Sequence, residues 1–179
     1  MVGFKAMRVS MHVVFFARIS GTYVPSMTHD TPLSKDDLVT FFCLKPVNNG
    51  DYRALSRVLK TLGIRLVGGT TRWPVVWSAL GLATEQDLQR AAELREPLLD
   101  AKAAAALIGV TPSIIYRWSK GNVPARMPVF PKAIDLSNGR ENARGLRWRR
   151  AEVLAWHSHE TLPVYARTVP SFGSLIPKT

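Results

Sequence analysis

The sequence predicts a mainly α protein with small β-wings, built as two similar halves. Apolar residues recur with a helical period in short segments that begin at capping residues and end at glycine. The order helix, helix, hairpin, helix occurs twice. Pro32-Leu33 matches Pro97-Leu98, and Arg72-Trp73 matches Arg147-Trp148, at offsets of 65 and 75 residues. These matches are typical of a diverged tandem repeat whose second copy carries ten extra residues.

The first half is predicted to span residues 27–82 and to begin with two helices. Ser34 caps a short helix that ends near Phe42. Asp51 caps the second helix, and Gly63 ends it. The residues expected on the inner faces of these helices are Leu38, Phe41, Phe42, Tyr52, Leu55, Val58, Leu59 and Leu62.

A hairpin and a third helix complete the first half. Residues 64–67 alternate like a strand and meet a turn at Gly68-Gly69. Pro74 suits the first position of a helix that continues to about Leu80. Residues 1–26, which precede this half, fit neither a helix nor a strand. They are either an extension ahead of a true start at Met27 or an arm of the protein.

A linking helix is predicted within residues 83–96, between the two halves. Thr84 caps this helix and Pro97 ends it. Its inward residues are expected to be Leu88, Ala91, Ala92 and Leu94.

The second half is predicted to span residues 97–158. Asp100 caps its first helix, which ends at Gly109. Thr111 caps the next helix, with Pro112 at its first position, and Gly121 ends it. The later elements are two strand-like runs, 130–137 and 145–148, the turn signal Asn138-Gly139 between them, and a helix with Val153, Leu154 and Trp156. Residues 159–179 are predicted to be a flexible tail.

Composition limits the class of protein. Hydrophobic residues make up 46% of the chain, which excludes a wholly disordered protein. The 24 Lys and Arg exceed the 13 Asp and Glu and give a net charge of +11, so we expect an anionic partner, most often nucleic acid. One cysteine, Cys43, excludes a disulfide framework. No run approaches the ~18 apolar residues of a membrane span, so we expect a cytoplasmic, nucleoid-associated protein with no membrane partner.

Residues 104–120 carry the clearest functional signal. Two helices joined by Gly109-Val110-Thr111 are typical of a helix-turn-helix motif. On the second helix, Thr111, Ile114, Ile115 and Trp118 are expected to pack inward, and Ser113, Tyr116, Arg117 and Lys120 to face outward. Hydroxyl, guanidinium and ammonium groups read base edges or hold phosphates in a DNA major groove. On a lone helix such a face would be an ordinary solvated surface, but the turn and the net charge favour DNA binding.

A strongly basic segment follows this helix. Between Arg117 and Arg150, nine Lys or Arg oppose Asp135 and Glu141, which gives +7 in 34 residues. A wing between the two strand-like runs can place an arginine at the DNA minor groove, whereas the alternative is a basic surface loop without a role. The predicted DNA-binding residues are Ser113, Tyr116, Arg117, Lys120, Arg140, Asn142, Arg144, Arg147 and Arg149.

An ordered set of residues in the second half carries a resemblance. The set comprises Leu98-Leu99, Ala104, Gly109-Val110, Ile115-Tyr116-Arg117, Phe130-Pro131, Leu136, Gly139-Arg140, Arg147-Trp148, Glu152-Val153 and Trp156. Over about residues 97–158 the chain resembles the AlpA/excisionase group of winged helix-turn-helix proteins, which bind DNA at mobile-element ends or promoters. The resemblance implies that Tyr116 and Arg117 lie on a recognition helix, Arg140 on the wing, and Trp148 and Trp156 in the core. Most members are a single short domain, whereas this chain has about 95 residues ahead of it.

The combined prediction is two winged helix-turn-helix-like domains in tandem that bind specific DNA sequences without catalysis. The protein would be an excisionase, a transcriptional regulator of a mobile element, or both. Its expected partners are double-stranded DNA, an integrase or RNA polymerase, and further copies of itself bound cooperatively on DNA. No cofactor or metal is expected, because His157 and His159 have no Cys or further His near them to complete a site.

The role of the first half stays open between two interpretations. Arg53, Arg57 and Lys60 lie on one side of its second helix and would form a second DNA-binding face. Alternatively they are an ordinary solvated face, while Phe41, Phe42, Trp73 and Trp77 form a core or a partner surface. In that alternative the first half is an adaptor that recruits an integrase or polymerase, and only the second half touches DNA.

Overall fold

Seven short helices and one two-stranded sheet make up the part of the chain that the computed structural model describes, residues 31–45, 50–83, 90–137 and 145–167. The elements are α1 (Lys35–Phe41), α2 (Arg53–Leu62), α3 (Trp73–Ala79), α4 (Ala91–Arg95), α5 (Ala101–Ile108), α6 (Pro112–Ser119), β1 (Ile134–Asp135), β2 (Leu146–Arg147) and α7 (Arg150–His157). The predicted mainly α class with small β elements is confirmed.

The first two helices begin and end for local reasons. The Ser34 hydroxyl accepts a hydrogen bond from the backbone N–H of Asp37 (3.2 Å), and the Asp37 carboxylate accepts one from the N–H of Ser34 (2.8 Å). This capping box confirms the predicted start of α1. α2 begins one residue later than predicted, since Tyr52 holds the cap position and Asp51 accepts from the N–H of Arg53 (3.0 Å). Gly63, with φ +68°, ends α2 as expected.

The hairpin of the first half is smaller than the sequence predicts. Residues 64–67 form no strand, and one pair, Val67 with Thr70, brackets Gly68 and Gly69. Both glycines have positive φ, 58° and 81°, and they form the turn that reverses the chain between the paired residues. Leu33 then pairs with Thr71 through two backbone hydrogen bonds of 2.7 and 3.1 Å and closes the half.

The linking segment contributes one short helix, α4. Ala91 and Leu94 are buried as predicted, but Ala92 is exposed, which corrects its expected inward position. Five residues make little more than one turn, and the inner face of such a helix has room for two contacts. Thr84 and Leu88 lie outside the described residues.

The second half starts with two helices joined by three residues, as predicted. The Asp100 carboxylate accepts from the N–H of Ala103 (2.7 Å), and Gly109, with φ +73°, ends α5. Pro112 lies in the first turn of α6. Thr111 is exposed, which corrects its expected inward position. It holds the cap position of α6, but its hydroxyl lies 2.9 Å from that of Ser113 and accepts no hydrogen bond from a backbone N–H of the helix.

The predicted second hairpin forms with shorter strands than expected. β1 and β2 are antiparallel, with Ile134 opposite Arg147 and Asp135 opposite Leu146. Phe130, at the start of the predicted strand, is buried in the core instead. Leu99 pairs with Trp148 through two backbone hydrogen bonds of 2.8 and 2.9 Å, ahead of α7.

Aromatic rings dominate both cores. In the first half Phe41 packs edge-on against Trp73 at 5.0 Å between ring centroids, and Trp73 stacks on Trp77 at 5.8 Å. Phe42 is fully buried as well. These four rings therefore form the core, and the alternative in which they make a partner surface is wrong. In the second half the rings of Trp118, Phe130, Trp148 and Trp156 lie together, which confirms the predicted core positions of Trp148 and Trp156.

The segment after α7 returns to the first half. Ala83 donates its N–H to the carbonyl of Ala166 (3.1 Å), and Leu82 pairs with Arg167. Tyr165 is buried, and its hydroxyl donates to the carboxylate of Glu93. The prediction of a flexible tail is wrong for residues 162–167, because a buried aromatic ring and backbone pairing hold them. Residues 168–179 and 1–30 lie outside the described residues.

Candidate nucleic-acid interface

The outward side of α6 is polar and lies over a firmly packed inner side. Ile115 and Trp118 are buried, and they hold the helix against α5 and α7. Ser113, Arg117 and Lys120 are exposed, as the spacing predicts. Neither Arg117 nor Lys120 forms an ion pair with any residue that the structure describes. A guanidinium, an ammonium and a hydroxyl are therefore presented together by a helix whose orientation the core fixes.

Tyr116 is half-buried rather than outward-facing. Its ring packs edge-on against Trp148 at 6.4 Å between centroids, and its carbonyl accepts from the Ser119 hydroxyl (2.9 Å). The Tyr116 ring therefore packs between α6 and Trp148. The prediction that this side chain faces fully outward is wrong.

Arg147, which the sequence predicts to bind DNA, does not lie on an exposed surface. Its side chain is buried, Nε donates to the carbonyl of Phe42 (2.7 Å), and Nη2 donates to the carbonyl of Cys43 (2.9 Å). Nη1 donates to the carbonyl of Leu146 (2.9 Å). The guanidinium therefore binds carbonyls at the end of α1 and joins β2 to the first half. Sequence spacing carries no sign of this contact, because the partners lie 105 and 104 residues away.

Arg149, which the sequence also predicts to bind DNA, is largely buried. Its side chain is 13% exposed and lies 3.4 Å from the carboxylate of Glu152. Its guanidinium also lies 5.2 Å from the centre of the Tyr165 ring. Burial raises the pKa of Glu152, and the neighbouring Arg149 opposes that rise. Arg149 therefore ties α7 to the returning segment.

The remaining predicted wing residues, Arg140, Asn142 and Arg144, lie outside the described residues. The base of that hairpin is described. The carbonyl of Gly145 accepts from the N–H of Leu136 (3.0 Å), and a Cβ at position 145 would come within 2.6 Å of the Ser137 Cβ. The two arms approach so closely here that position 145 has no room for a side chain.

The second predicted face lies on α2. Arg53, Arg57 and Lys60 are all exposed, as expected. Sequence reasoning missed Lys35, which lies beside Arg53 and Arg57 because α1 packs on α2, and Tyr52, which caps α2 next to Arg53. The Tyr52 hydroxyl donates to the Asp36 carboxylate (2.8 Å), and this hydrogen bond raises the pKa of Tyr52.

The described residues contain no group of three or more His, Cys, Asp or Glu arranged to hold a metal ion. His157 and His159 are exposed, and Cys43 is half-buried. None of the helices in the described ranges is long and apolar enough to cross a bilayer.

The chain matches no protein-family model, and no curated protein or solved structure is detectably similar to it. The resemblance to the AlpA/excisionase group therefore stays a prediction.

Proposed function

We propose that the protein binds specific DNA sequences without catalysis and acts as an excisionase, a transcriptional regulator of a mobile element, or both. In this proposal α5, α6 and the β1–β2 hairpin work as a winged helix-turn-helix, and the first half is a related domain. The observation that supports the proposal most is the exposed face of α6, which presents Ser113, Arg117 and Lys120. The two cations form no ion pair with any described residue.

The chemistry of this face fits duplex DNA. An arginine reads guanine through two parallel hydrogen bonds, while lysine and serine contact phosphates or base edges. Arg117 is exposed on a helix whose Ile115 and Trp118 are buried, so its stem starts from a fixed backbone. A reading group whose position is fixed before binding loses less entropy when the complex forms. The net charge of +11 adds attraction to phosphates that does not depend on sequence.

The test compares Arg117→Ala with Arg65→Ala on a selected target duplex and on a random duplex. Arg65 is exposed in the first half and has no ion-pair partner among the described residues, so its loss removes the same charge elsewhere. Arg117→Ala is expected to cost about 1–3 kcal/mol on the target and much less on the random duplex. Arg65→Ala is expected to change both affinities little. Equal weakening of both duplexes by Arg117→Ala would contradict base reading by this residue.

A second candidate function is that of an adaptor whose first half recruits an integrase or polymerase. The observation that favours it is the connection between α1 and α2, which takes residues 42–52 instead of a three-residue turn. The first two helices of the first half are therefore joined by a longer connection than α5 and α6. Because Arg147 and Tyr165 bind across the halves, the test needs the full chain rather than fragments. An adaptor predicts that substitutions at Arg57 and Lys60 leave DNA affinity unchanged.

A further inference from the structure

A shallow basic groove lies beside the start of α2. Its volume is about 790 Å³, and it is open to solvent. Lys35, Arg53 and Arg57 supply three positive charges to its lining, and Asp51 supplies one negative charge. The groove thus carries a surplus of two positive charges at neutral pH.

The basic residues continue along one side of α2. Arg53, Arg57 and Lys60 are spaced four and three residues apart, so their side chains share a face. Like charges at this spacing repel each other and destabilise a helix, so this face is not explained by helix stability. Arg53 lies 3.7 Å from the Asp51 carboxylate, but both side chains are largely exposed and water screens the pair. Arg57 and Lys60 form no ion pair with any described residue.

Packing beneath the groove holds this face in place. Leu55, Val58 and Leu59 on the opposite side of α2 are buried in the first core. Tyr52 forms part of the wall, where its hydroxyl is bound to Asp36 and the Lys35 ammonium lies 5.2 Å from its ring centre. The cations therefore project from a preorganised surface rather than from a loop.

We propose that this groove binds the phosphate backbone of the duplex that α6 reads, without sequence preference; the inference rests on the proposed function. Arg53 to Lys60 spans seven residues, or about 10 Å along the helix axis. One DNA strand carries a phosphate for every ~3.4 Å of rise along the duplex axis, so a helix of this length laid along the duplex faces about three phosphates. The long side chains of Arg53, Arg57 and Lys60 would then contact phosphates within a few nucleotides of one another.

Two features favour DNA over an acidic protein as the occupant. Tyr52 is the single aromatic or large apolar residue among the groove's described lining, whereas protein partners bind most strongly to apolar and aromatic anchors. Arg147 also joins the base of the β1–β2 hairpin to the carbonyls that end α1, so the groove and α6 belong to connected elements. If one duplex contacts both surfaces, its phosphates reach the groove at a high effective concentration.

The experiment measures the salt dependence of DNA affinity for the full chain carrying Arg53→Gln and Arg57→Gln together. A matched control carries Lys45→Gln and Arg65→Gln, two exposed first-half cations outside the groove. The groove variant is expected to lower the slope of log affinity against log salt by about 1.8, because each lost phosphate contact removes about 0.9. Between 50 and 200 mM salt its affinity should fall roughly tenfold less than that of the wild type. The control should keep the wild-type slope.

The decrease in the salt slope of the groove variant must be the same on target and random duplexes, because phosphate contacts carry no sequence information. An unchanged slope in the groove variant, while the wild type still prefers its target, overturns the groove as a DNA contact and leaves the proposed function standing. A loss of target preference overturns the phosphate-only assignment. Failure of the wild type to bind any duplex overturns both the groove contact and the proposed function.

Discussion

Each half of the chain is closed by one backbone pair, which joins a residue near its start to a residue just before its last helix. Leu33 pairs with Thr71 just before α3, and Leu99 pairs with Trp148 just before α7, each through two backbone hydrogen bonds. Arg72 and Arg149 hold the cap positions of those last helices. The structural partner of Arg72 is therefore Arg149 rather than Arg147. The Arg-Trp match in the sequence is therefore displaced by two residues from the structural equivalence.

The halves differ in how their first two helices are joined. Three residues separate α5 from α6, whereas residues 42–52 separate α1 from α2. A short connection holds α6 closely against α5, whereas the first half carries a shallow basic groove beside the start of α2. The same type of closing pair therefore supports a different kind of surface in each half. The second half exposes a compact helix pair with a polar face, and the first half exposes a broad cationic groove.

The largest expected effect distinguishes the two closing pairs. Trp148→Ala should destabilise the protein by about 3–5 kcal/mol, because a fully buried ring that packs against Tyr116 and Phe130 leaves a cavity. Its counterpart Thr71→Ala should cost about 1 kcal/mol, since a smaller side chain is removed. Urea unfolding of both variants measures the difference. A Trp148→Ala protein with wild-type stability and lost DNA binding would contradict the core role of this ring.

The next effect concerns the contact between the halves. Arg147→Met should cost about 2–3 kcal/mol, because the carbonyls of Phe42 and Cys43 lose charge-assisted hydrogen bonds inside the protein. Arg147→Lys should recover only part of that loss, because one ammonium does not reproduce the forked geometry of a guanidinium. Chemical unfolding of the three proteins tests this order. Equal stability of the wild type and the Met variant would show that the halves do not depend on this contact.

A smaller effect is expected where the returning segment meets the linker. Tyr165→Phe removes the hydrogen bond to Glu93 and should cost about 1–2 kcal/mol. The ring remains, so Arg149 and Arg167 keep their contacts with an aromatic face. Hydrogen exchange should quicken at the Ala83 amide, which donates to Ala166. Unchanged exchange there would mean that the backbone pairing holds the segment without the tyrosine hydroxyl.

The smallest expected effect is a pH dependence of stability that arises from Glu152 on α7. Burial raises the pKa of Glu152 in the folded protein, so the folded state holds this proton at a higher pH than the unfolded state. The contribution of Glu152 to stability is thus fully present below its ordinary pKa of about 4.5 and declines as pH rises through the folded value. Glu152→Gln should abolish this decline. Melting temperatures of both proteins from pH 4 to 7 test the sign, and a wild type that gains stability over the variant with rising pH would contradict it.

Local signals predicted the helices well. Ser34 and Asp100 cap α1 and α5, and Gly63 and Gly109 end α2 and α5, because each effect depends on residues within one turn. The outward positions of Arg117 and Lys120 followed from helical spacing for the same reason. What was missed depends on contacts between distant residues.

Arg147 and Tyr165 illustrate the missed contacts. An arginine beside a predicted wing has the composition of a DNA contact, and its partners on α1 are visible only once the halves pack together. Tyr165 lies in a stretch without periodicity, and its burial depends on Glu93, 72 residues earlier. The groove on α2 likewise depends on α1, which brings Lys35 beside Arg53.

The measurement that tests the central claim most directly is the selection of bound duplexes from a random DNA library at physiological salt, followed by sequencing. The account predicts an enriched motif that Arg117→Ala weakens or loses, because the outward face of α6 reads base edges. Binding without enrichment, or no binding at all, would contradict sequence-specific recognition by this protein.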